Sequence, residues 1–526
     1  MMAVRKGDRL RESQGGDLLR PNWNIRRHRL VVFSALSALC LITSACGSRL
    51  TGRDALLAQG AGFGNSASSS QNPSNIAAGS GASATTTTTL NTTTSSGGIA
   101  SGAPGASGST DTTATTSPST SGGSSSAAAT SAAACGANGN QTPAAGNGGA
   151  TATGVTATAI NVGNIASISG VAPGLTQSAQ QATEAWAAYV NSQGGICGRM
   201  IKVQPFDDGN DSGTNYADAS QACTSDFAMV GNASGFDDGS AQAVTACSIP
   251  DMAAEVSTAA AGATADIFGA TSGSDHYWLL GPANYLKATY PSAITHAAMI
   301  YLNVPATQTA ALHEVAAYQS VGFKYVYNTS TTPTNANYAA NVQAMQSAGV
   351  QYVTEYSDAS SAERLLQSMQ QANYTPQVVD WFSEEYSPQF AQQTEPESNG
   401  DLVLMSATAA YQEASANPGM QLMESWLNRV APGYHQDIFA ILAWSAGLAF
   451  EQAAKAVGPD LTRPALIAQI KQITNWTGDG ITPPVNIGQK IPSKCFFYMK
   501  IENGAFQRVY PTTPNTYDCN SGLFQY

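Results

Sequence analysis

The chain has 526 residues, a net charge of −12 and a sequence isoelectric point of about 4.8. No basic stripe or arginine-rich helix offsets this acidity, so binding to nucleic acid through its phosphates is not expected. Residues 55–154 are dominated by Ser, Thr, Ala and Gly, and Asp111 is the only charged residue between Asp54 and Glu184. Too few large apolar side chains occur there to offset the entropy of ordering the segment. The sequence therefore predicts a disordered linker over 47–154, and the remainder is long enough for two lobes.

The first 46 residues have the pattern of an export signal. Arg26, Arg27 and Arg29 precede the apolar run LVVFSALSALCLITSA, which is short for a membrane span. Residues 43–46, TSAC, resemble the lipobox of bacterial lipoproteins, although Thr43 replaces the usual larger aliphatic residue. Cys46 would then be lipidated and anchor the protein at the outer face of the cell membrane. The alternative is an ordinary cleaved signal and a secreted or periplasmic protein.

Six further cysteines favour disulfides in an exported protein, although six allow many pairings. Cys223 and Cys247 each come just before a predicted strand, so they could meet at one end of a sheet. Cys495 and Cys519 bracket a predicted terminal hairpin. By elimination, Cys135–Cys197 would tie the end of the linker to the first lobe.

Residues 159–208 read as a β-α-β unit. Ile160, Val162 and Ile165 mark a short strand, and Ala182, Ala185, Trp186, Tyr189 and Val190 recur at helical spacing. Ile201 and Val203 begin a second strand that ends at Asp207-Asp208. Polar groups therefore follow both strands, and open parallel sheets bind ligands at such ends.

The same alternation continues along the chain and predicts parallel sheets covered by helices on both faces. Strands are predicted at 228–230, 249–254, 297–302, 323–327, 350–356, 378–382 and 402–406. Helices are predicted at 216–227, 237–247, 310–320, 338–348, 362–372, 418–430, 437–457 and 463–472. The aromatic segment 265–291 is expected to be irregular and to end in the first crossing between lobes. The tail 496–511 is predicted to be a hairpin with Asn503-Gly504 as its turn.

Several of these motifs together resemble one family. SISG after the first strand, VNSQGGICGR after the first helix, FDDGND and VGNASG resemble type I periplasmic binding proteins. Within them the chain is similar to the leucine/isoleucine/valine-binding group that serves ABC importers. The resemblance implies an α/β fold with two doubly wound parallel-sheet lobes, which three crossings join and which close on a ligand. It assigns 155–291 and about 410–490 to the N-lobe, and 292–409 and about 491–526 to the C-lobe.

The resemblance also implies that strand-end loops of the first lobe hold a ligand carboxylate through hydroxyl and backbone N–H groups. The matching residues are Ser167, Ser169, Asn232, Ser234, Gly235 and Ser257. Each of these small residues could instead only shape its turn. Glu255 is unexpected there, and it either favours a cationic or polyhydroxy ligand or is a solvated rim charge.

In the second lobe the family uses an acid and aromatics for a ligand ammonium group. Glu384, or alternatively Glu385, falls near the acid position, and Asp358 lies near an aromatic position. Val304-Pro305-Ala306-Thr307 replaces the family's Tyr-Gly, which makes Thr307 a candidate contact. This departure puts a branched-chain amino acid in doubt.

The folded region contains no G-x-S-x-G elbow, HExxH motif or nucleotide-binding loop, and no Cys/His cluster suggests a metal. Enzymatic activity, a cofactor and a metal are therefore not expected. The predicted function is that of a monomeric extracytoplasmic solute-binding lipoprotein that delivers a small polar ligand, an amino acid or related compound, to ABC permease subunits. The alternatives are a ligand-sensing domain for a signalling partner and, less favoured, a secreted hydrolase.

Overall fold

A computed structural model describes residues 134–271 and 276–526. The predicted export signal, Cys46 and most of the predicted linker lie outside these residues. Within them, no helix combines the length and the apolar character needed to cross a bilayer. Two β-sheets organise the described chain, and each is covered by helices.

The first sheet comes from the amino-terminal part of the folded chain. Its strands are β1 (Ala159–Ala166), β2 (Met200–Asp207), β3 (Ala228–Val230), β4 (Asp251–Glu255) and β5 (Ile267–Thr271). All neighbours are parallel, in the order β2-β1-β3-β4-β5. The connecting helices are α1 (Gln177–Ser192), α2 (Ser212–Ser225), α3 (Asp238–Cys247) and α4 (Ala259–Ala263). Parallel pairing requires such crossovers, as the alternating pattern predicted.

The second sheet has seven strands and is mixed. Its strands are β7 (Ala297–Leu302), β8 (Tyr325–Thr331), β9 (Tyr352–Tyr356), β10 (Val378–Trp381), β11 (Leu402–Met405), β12 (Phe497–Glu502) and β13 (Ala505–Tyr510). The order is β13-β12-β11-β10-β9-β7-β8, and the five strands from β11 to β8 are parallel. Strands β12 and β13 form the predicted antiparallel hairpin, and Asn503 and Gly504 at its turn have φ of 51° and 70°. Asparagine and glycine are the residues that most readily adopt such values.

Five helices accompany the second half of the fold, and a small two-stranded sheet lies beside it. The helices are α5 (Gly281–Thr289), α6 (Pro305–Val321), α7 (Ala339–Ser347), α8 (Ala359–Gln371) and α9 (Pro388–Gln393). The small sheet pairs β6 (Tyr277–Leu279) with β14 (Leu523–Gln525) in antiparallel register. A short 3₁₀ turn at Ser383–Glu385 follows β10.

After β11 the chain returns to the first sheet. Helices α10 (Pro418–Val430), α11 (Ile438–Val457) and α12 (Arg463–Ile470) follow, and α11 packs on α1 and β4. The ring of Trp186 meets that of Phe450 edge-on at 5.8 Å. A side chain at Gly447 would clash with Trp186, since a Cβ there would lie 2.4 Å from the indole. The chain thus passes between the sheets after β5, after β11 and before β12, which confirms the expected three-crossing α/β architecture.

The segment before β1 is held against the first sheet. Cys135 is bonded to Cys197, just before β2. Arg199 is fully buried, and its guanidinium donates to the backbone carbonyls of Thr156 at 2.8 Å and Pro459 at 3.0 Å. It also donates to carbonyls of the 147–149 loop. The other disulfides are Cys223–Cys247 and Cys495–Cys519, so the structure contains the three predicted pairings.

The expectation that 265–291 is irregular was wrong. This segment contains β5, β6 and α5. Strand β5 is a five-residue run that includes Gly269, and Pro282 occupies the first turn of α5. The buried Ala283 and Leu286 of α5 pack with Ile294 and other residues around the second sheet. The predicted lobe boundary at residue 291 therefore groups α5 with the first sheet, whereas its buried side chains belong to the core around the second sheet. The lobe assignment as a whole stays a prediction.

Candidate ligand-binding cleft

A cavity of about 230 Å³ lies between the carboxyl ends of the two sheets' parallel strands. From the first half of the fold it is lined by loops that follow β1, β3 and β4. From the second half it is lined by loops that follow β7, β9 and β10. Residues of the three passages between the sheets also line it, including Thr271, Ala407 and Pro492. This is the position at which open parallel sheets bind ligands.

One side of the cavity is formed by three aromatic rings, here called the aromatic wall: Trp278, Tyr356 and Phe382. Trp278 stacks on Phe382 with centroids 6.4 Å apart, and Tyr356 lies 4.8 Å from Phe382. The hydroxyl of Tyr356 donates to the buried Glu314 at 2.8 Å, which fixes the ring. Burial raises the pKa of Glu314 to about 8. A neutral carboxyl can therefore hold this wall without placing a charge behind it.

The wall faces an apolar surface on the side of the first sheet. Ile438, Phe439 and Leu442 of α11 line the cavity together with Val256 and Ala270. These residues belong to the core of the first sheet, and they are almost fully buried. Most of the cavity surface is therefore suited to an apolar group.

Two glutamates, one after a strand of each sheet, supply ionisable groups to the cavity. Glu255 ends β4, and Glu384 lies in the 3₁₀ turn after β10. Burial raises the pKa of Glu255 to about 7, and the nearby charge of Asp237 adds to this. Burial also raises the pKa of Glu384 well above its ordinary value, and the charge of Glu255 raises it further. The Oε2 atom of Glu384 has no hydrogen-bond partner among the described residues.

Seven of the ten residues predicted to contact ligand line the cavity. They are Ser234, Gly235, Glu255, Ser257, Thr307, Asp358 and Glu384. The other three, Ser167, Ser169 and Asn232, are not among the lining residues. The hydroxyl of Ser167 donates to Asp208 at 2.9 Å, and the amide of Asn232 donates to Asp251 at 3.0 Å. These two side chains stabilise the loops from within the first half of the fold.

Several lining groups already bond to the protein itself. The hydroxyl of Ser234 donates to the carboxyl of Asp208. The backbone N–H of Ser257 donates to Asp237 at 2.7 Å. The hydroxyl of Thr307 donates to the backbone carbonyl of Leu302, the last residue of β7, at 2.6 Å. The hydroxyl groups of Ser234 and Thr307 and the backbone N–H of Ser257 therefore donate to carboxyl and carbonyl groups of the chain itself.

Asp358 also has an internal role. It precedes α8, and its Oδ1 accepts the backbone N–H groups of Ser360 at 3.0 Å and Ser361 at 3.2 Å. This is the arrangement of an N-cap, which satisfies helix N–H groups that lack a partner within the helix. Asp358 lines the cavity because α8, which it caps, begins at the cleft.

The two sides of the cleft are in direct contact at one point. The backbone N–H of Ala306, in the first turn of α6, donates to the carbonyl of Gly235 at 3.3 Å. Helix α6 begins at Pro305, five residues before the predicted start, because proline suits the first helical turn. The VPAT sequence thus brings the second half of the fold against the VGNASG loop.

Sequence reasoning missed most of the cavity's apolar residues. Trp278 lies in the segment that the sequence predicts to be irregular, and Phe382 lies at the end of a predicted strand. His313 of α6 lines the cavity as well. A cluster of aromatic residues in a segment between two sheets was the available signal.

The sequence between residues 159 and 505 matches the periplasmic binding protein family. A search of curated proteins finds no significant match. Among solved structures, a fatty acid ABC transporter substrate-binding protein from Thermomonospora curvata is similar, with 18% identity, a TM-score of 0.59, and coverage of 71% of this chain and 94% of that one. A possible leucine/isoleucine/valine-binding protein from Rhodopirellula baltica has 13% identity, a TM-score of 0.59, and coverage of 67% and 96%.

A solute-binding protein of an ABC transporter from R. palustris, in complex with benzoate, has 14% identity, a TM-score of 0.55, and coverage of 68% of this chain and 98% of that one. At these identities the likeness concerns the fold. The family match extends over the first sheet, over the second sheet except β13, and over the loops that line the cavity. The chain belongs to the periplasmic binding protein family, whose members bind solutes and are not enzymes.

Proposed function

We propose that this protein is an extracytoplasmic receptor that captures a small solute with a protonated amine and an apolar body, such as an apolar amino acid or a related amine, and delivers it to an ABC importer. The observation that carries the ligand class is the pair Glu255 and Glu384, which face one cavity from opposite sheets. An ammonium group between them would bond to both halves of the cleft and favour its closed form.

The charges around the cavity support a cation over an anion. Its lining contains Glu255, Asp358 and Glu384, but no lysine or arginine among the described residues. A free carboxylate would therefore meet like charge or partly buried carboxyl groups without a compensating cation. An ammonium group would instead neutralise the pair and supply the hydrogen-bond donor that Glu384 Oε2 lacks.

The apolar body of the ligand is expected between the aromatic wall and α11. Trp278 and Phe382, which stack on each other, line the cavity on one side, and Phe439 and Leu442 lie among the lining residues on the α11 side. Burial of such a group on both sides contributes free energy in proportion to the apolar area removed from water. The solved structures with similar folds include one in complex with isoleucine and one in complex with benzoate. The fold thus accommodates both aliphatic and aromatic bodies.

Delivery to an importer is supported by the family and by the leader sequence. The fold neighbours include substrate-binding proteins of ABC transporters. The predicted signal with Cys46 would keep the receptor at the outer face of the cell membrane, close to a permease. The predicted linker would join the receptor to this anchor.

The test is a thermal-shift series of matched compounds. Phenylalanine, phenethylamine and 3-phenylpropanoate share one apolar body, and leucine, isoamylamine and 4-methylpentanoate share another. Amine-bearing members should raise the melting temperature, since a ligand at a hundred times its Kd adds about 2.7 kcal/mol. If only the carboxylates without an amine raise it, the proposed ligand class is wrong, although the receptor role survives.

Variants at the two glutamates then locate the site. Glu255→Gln and Glu384→Gln should each weaken binding of the amine-bearing compound by about tenfold or more, because one of two charge-assisted bonds is lost. Glu395→Gln is the matched control, since Glu395 is exposed and does not line the cavity. Equal affinities in all three variants would place the ligand elsewhere.

A further inference from the structure

We infer that the last strand, β14, together with Tyr526, is a positioning element of the cleft, which holds the aromatic wall in place through β6. The inference starts from the pairing of β6. This strand belongs to neither large sheet, and its partner within the described residues is β14. All three residues of β6, Tyr277, Trp278 and Leu279, line the cavity. Strand β6, which carries Trp278 of the aromatic wall, thus pairs with a strand more than two hundred residues further along the chain.

The pairing aligns Phe524 with Trp278 and continues on both sides of the strands. Before β14, the carbonyl of Gly522 accepts the N–H of Leu280 at 3.3 Å. After it, the N–H of Tyr526 donates to the carbonyl of His276 at 3.1 Å. A segment fixed at both ends in this way has fewer accessible positions for its central tryptophan.

Tyr526 reaches the cavity lining by a second route. Its ring stacks on His313 at 4.3 Å, and its hydroxyl donates to the backbone carbonyl of His313 at 2.5 Å. His313 lines the cavity and meets Trp278 edge-on at 6.1 Å. A continuous series of ring contacts thus connects Tyr526 through His313 and Trp278 to Phe382.

The tail that carries β14 is anchored to the second sheet. Cys519 is bonded to Cys495, two residues before β12. Asp518 and Phe496 exchange two backbone hydrogen bonds, of 2.8 and 3.0 Å. Tyr526 itself is 42% exposed, so it is not part of the fully buried core. The tail is therefore suited to position the wall without being essential to the fold.

Acrylamide quenching of Trp278 fluorescence tests the inference without a ligand. The chain has seven tryptophans, so the contribution of Trp278 is obtained by subtracting the same variant with Trp278→Phe. Tyr526→Ala should raise the quenching constant of Trp278 by about twofold or more, because local opening of the wall becomes easier. Tyr526→Phe keeps the ring stack and should restore most of the protection, whereas Gln525→Ala, at an exposed position, should change nothing.

Hydrogen exchange supplies the second readout. Phe524→Pro removes a backbone donor of β14 and should speed amide exchange in residues 276–280, while exchange in β1 and β9 stays at the wild-type rate. Wild-type quenching in Tyr526→Ala together with wild-type exchange in Phe524→Pro would overturn the inference. Any consequence for ligand affinity rests on the proposed function. Quenching and exchange are measured without a ligand, so a failure of this inference can be distinguished from a failure of the proposed function.

Discussion

The two sheets use their buried carboxyl groups for different purposes. Around the first sheet, Asp208 accepts hydrogen bonds from three loops and from Asn215 of α2, and so fixes the course of the backbone. Around the second sheet, Glu314 and Asp380 accept hydrogen bonds from tyrosine hydroxyls and so fix aromatic rings. The first half of the fold therefore contributes the shape of the cleft, and the second half contributes its aromatic surface.

This difference explains why the small polar residues of the first half are poor candidates for ligand contacts. Several of their hydrogen-bonding groups already donate to carboxyl groups of neighbouring loops, as the hydroxyl of Ser234 does to Asp208 and the backbone N–H of Ser257 does to Asp237. Displacing such a bond would leave a buried acceptor without its donor, which costs about 1–3 kcal/mol. In contrast, the Oε2 atom of Glu384 has no hydrogen-bond partner among the described residues, and the charge of Glu255 is near enough to raise the pKa of Glu384.

The largest expected effect on the free energy of unfolding comes from replacing one buried aspartate beside each sheet, Asp208 or Asp380, by asparagine. In Asp208→Asn one oxygen becomes an NH₂ group that faces donors, since Oδ1 accepts Ser167 and Asn210 while Oδ2 accepts Asn215 and Ser234. We expect a loss of about 3–4 kcal/mol in the free energy of unfolding.

In Asp380→Asn the loss should stay below about 1 kcal/mol, because Oδ2 accepts both tyrosines and Oδ1 has no partner among the described residues. Urea unfolding measures both variants. Equal losses would contradict the contrast between the two sheets.

The second effect concerns the disulfides, which offer a matched pair. Cys223–Cys247 and Cys495–Cys519 each span a sequence separation of 24, so replacing either pair by serines should cost about 3 kcal/mol. Only the second replacement should raise the quenching of Trp278, because only Cys519 anchors β14. A rise in both variants would mean that general loosening, and not the tail, controls the wall.

The third effect is a dependence of stability on pH. The pKa of Glu314 is raised to about 8 in the folded protein, so the folded state holds a proton that the unfolded state releases above its ordinary value of 4.5. Stability is therefore lost as the pH rises, by about 2 kcal/mol for this group from about pH 5 to about pH 6.5.

Glu314→Gln should remove that part of the slope, and urea unfolding at the two pH values measures it. Glu395→Gln should leave the slope unchanged. A slope in Glu314→Gln that equals the wild-type slope would show that Glu314 is ionised in the folded protein.

The smallest effect tests Asp358. If it only caps α8, Asp358→Ala should cost about 1 kcal/mol, and Asp358→Asn should cost almost nothing. Neither change should alter the affinity for an amine-bearing compound by more than about twofold. A tenfold loss of affinity in Asp358→Asn would instead return this residue to the ligand site.

The course of the strands and helices was largely predictable because burial imposes a periodicity on the sequence. Helix α10 has the predicted bounds, and α11 begins one residue after its predicted start. Strand β5 was not predicted because it is short and contains Gly269. Strand β6 was not predicted because its pairing partner, β14, lies more than two hundred residues further along the chain. Long-range pairing leaves no periodic pattern in a three-residue strand.

The location of the cleft could also be predicted, since loops after parallel strands meet at one edge of a sheet. The hydrogen-bond partner of each polar group could not be predicted. Whether Ser234 binds a ligand or Asp208 depends on a contact between loops 26 residues apart, which no local pattern specifies. The exposure of Glu255 to the cavity was open for the same reason, because its surroundings come from both sheets.

The Cys135–Cys197 bond has a mechanical consequence. It joins the end of the predicted linker to the chain just before β2, at the amino-terminal edge of the first sheet, whereas the cavity lies beyond the carboxyl-terminal edge. A tension on the predicted linker would act first on this covalent bond and on the hydrogen bonds from Arg199 to the surrounding backbone carbonyls. Such a tension would reach the first sheet before the passages between the two sheets, so it would not act directly to separate the two sides of the cleft.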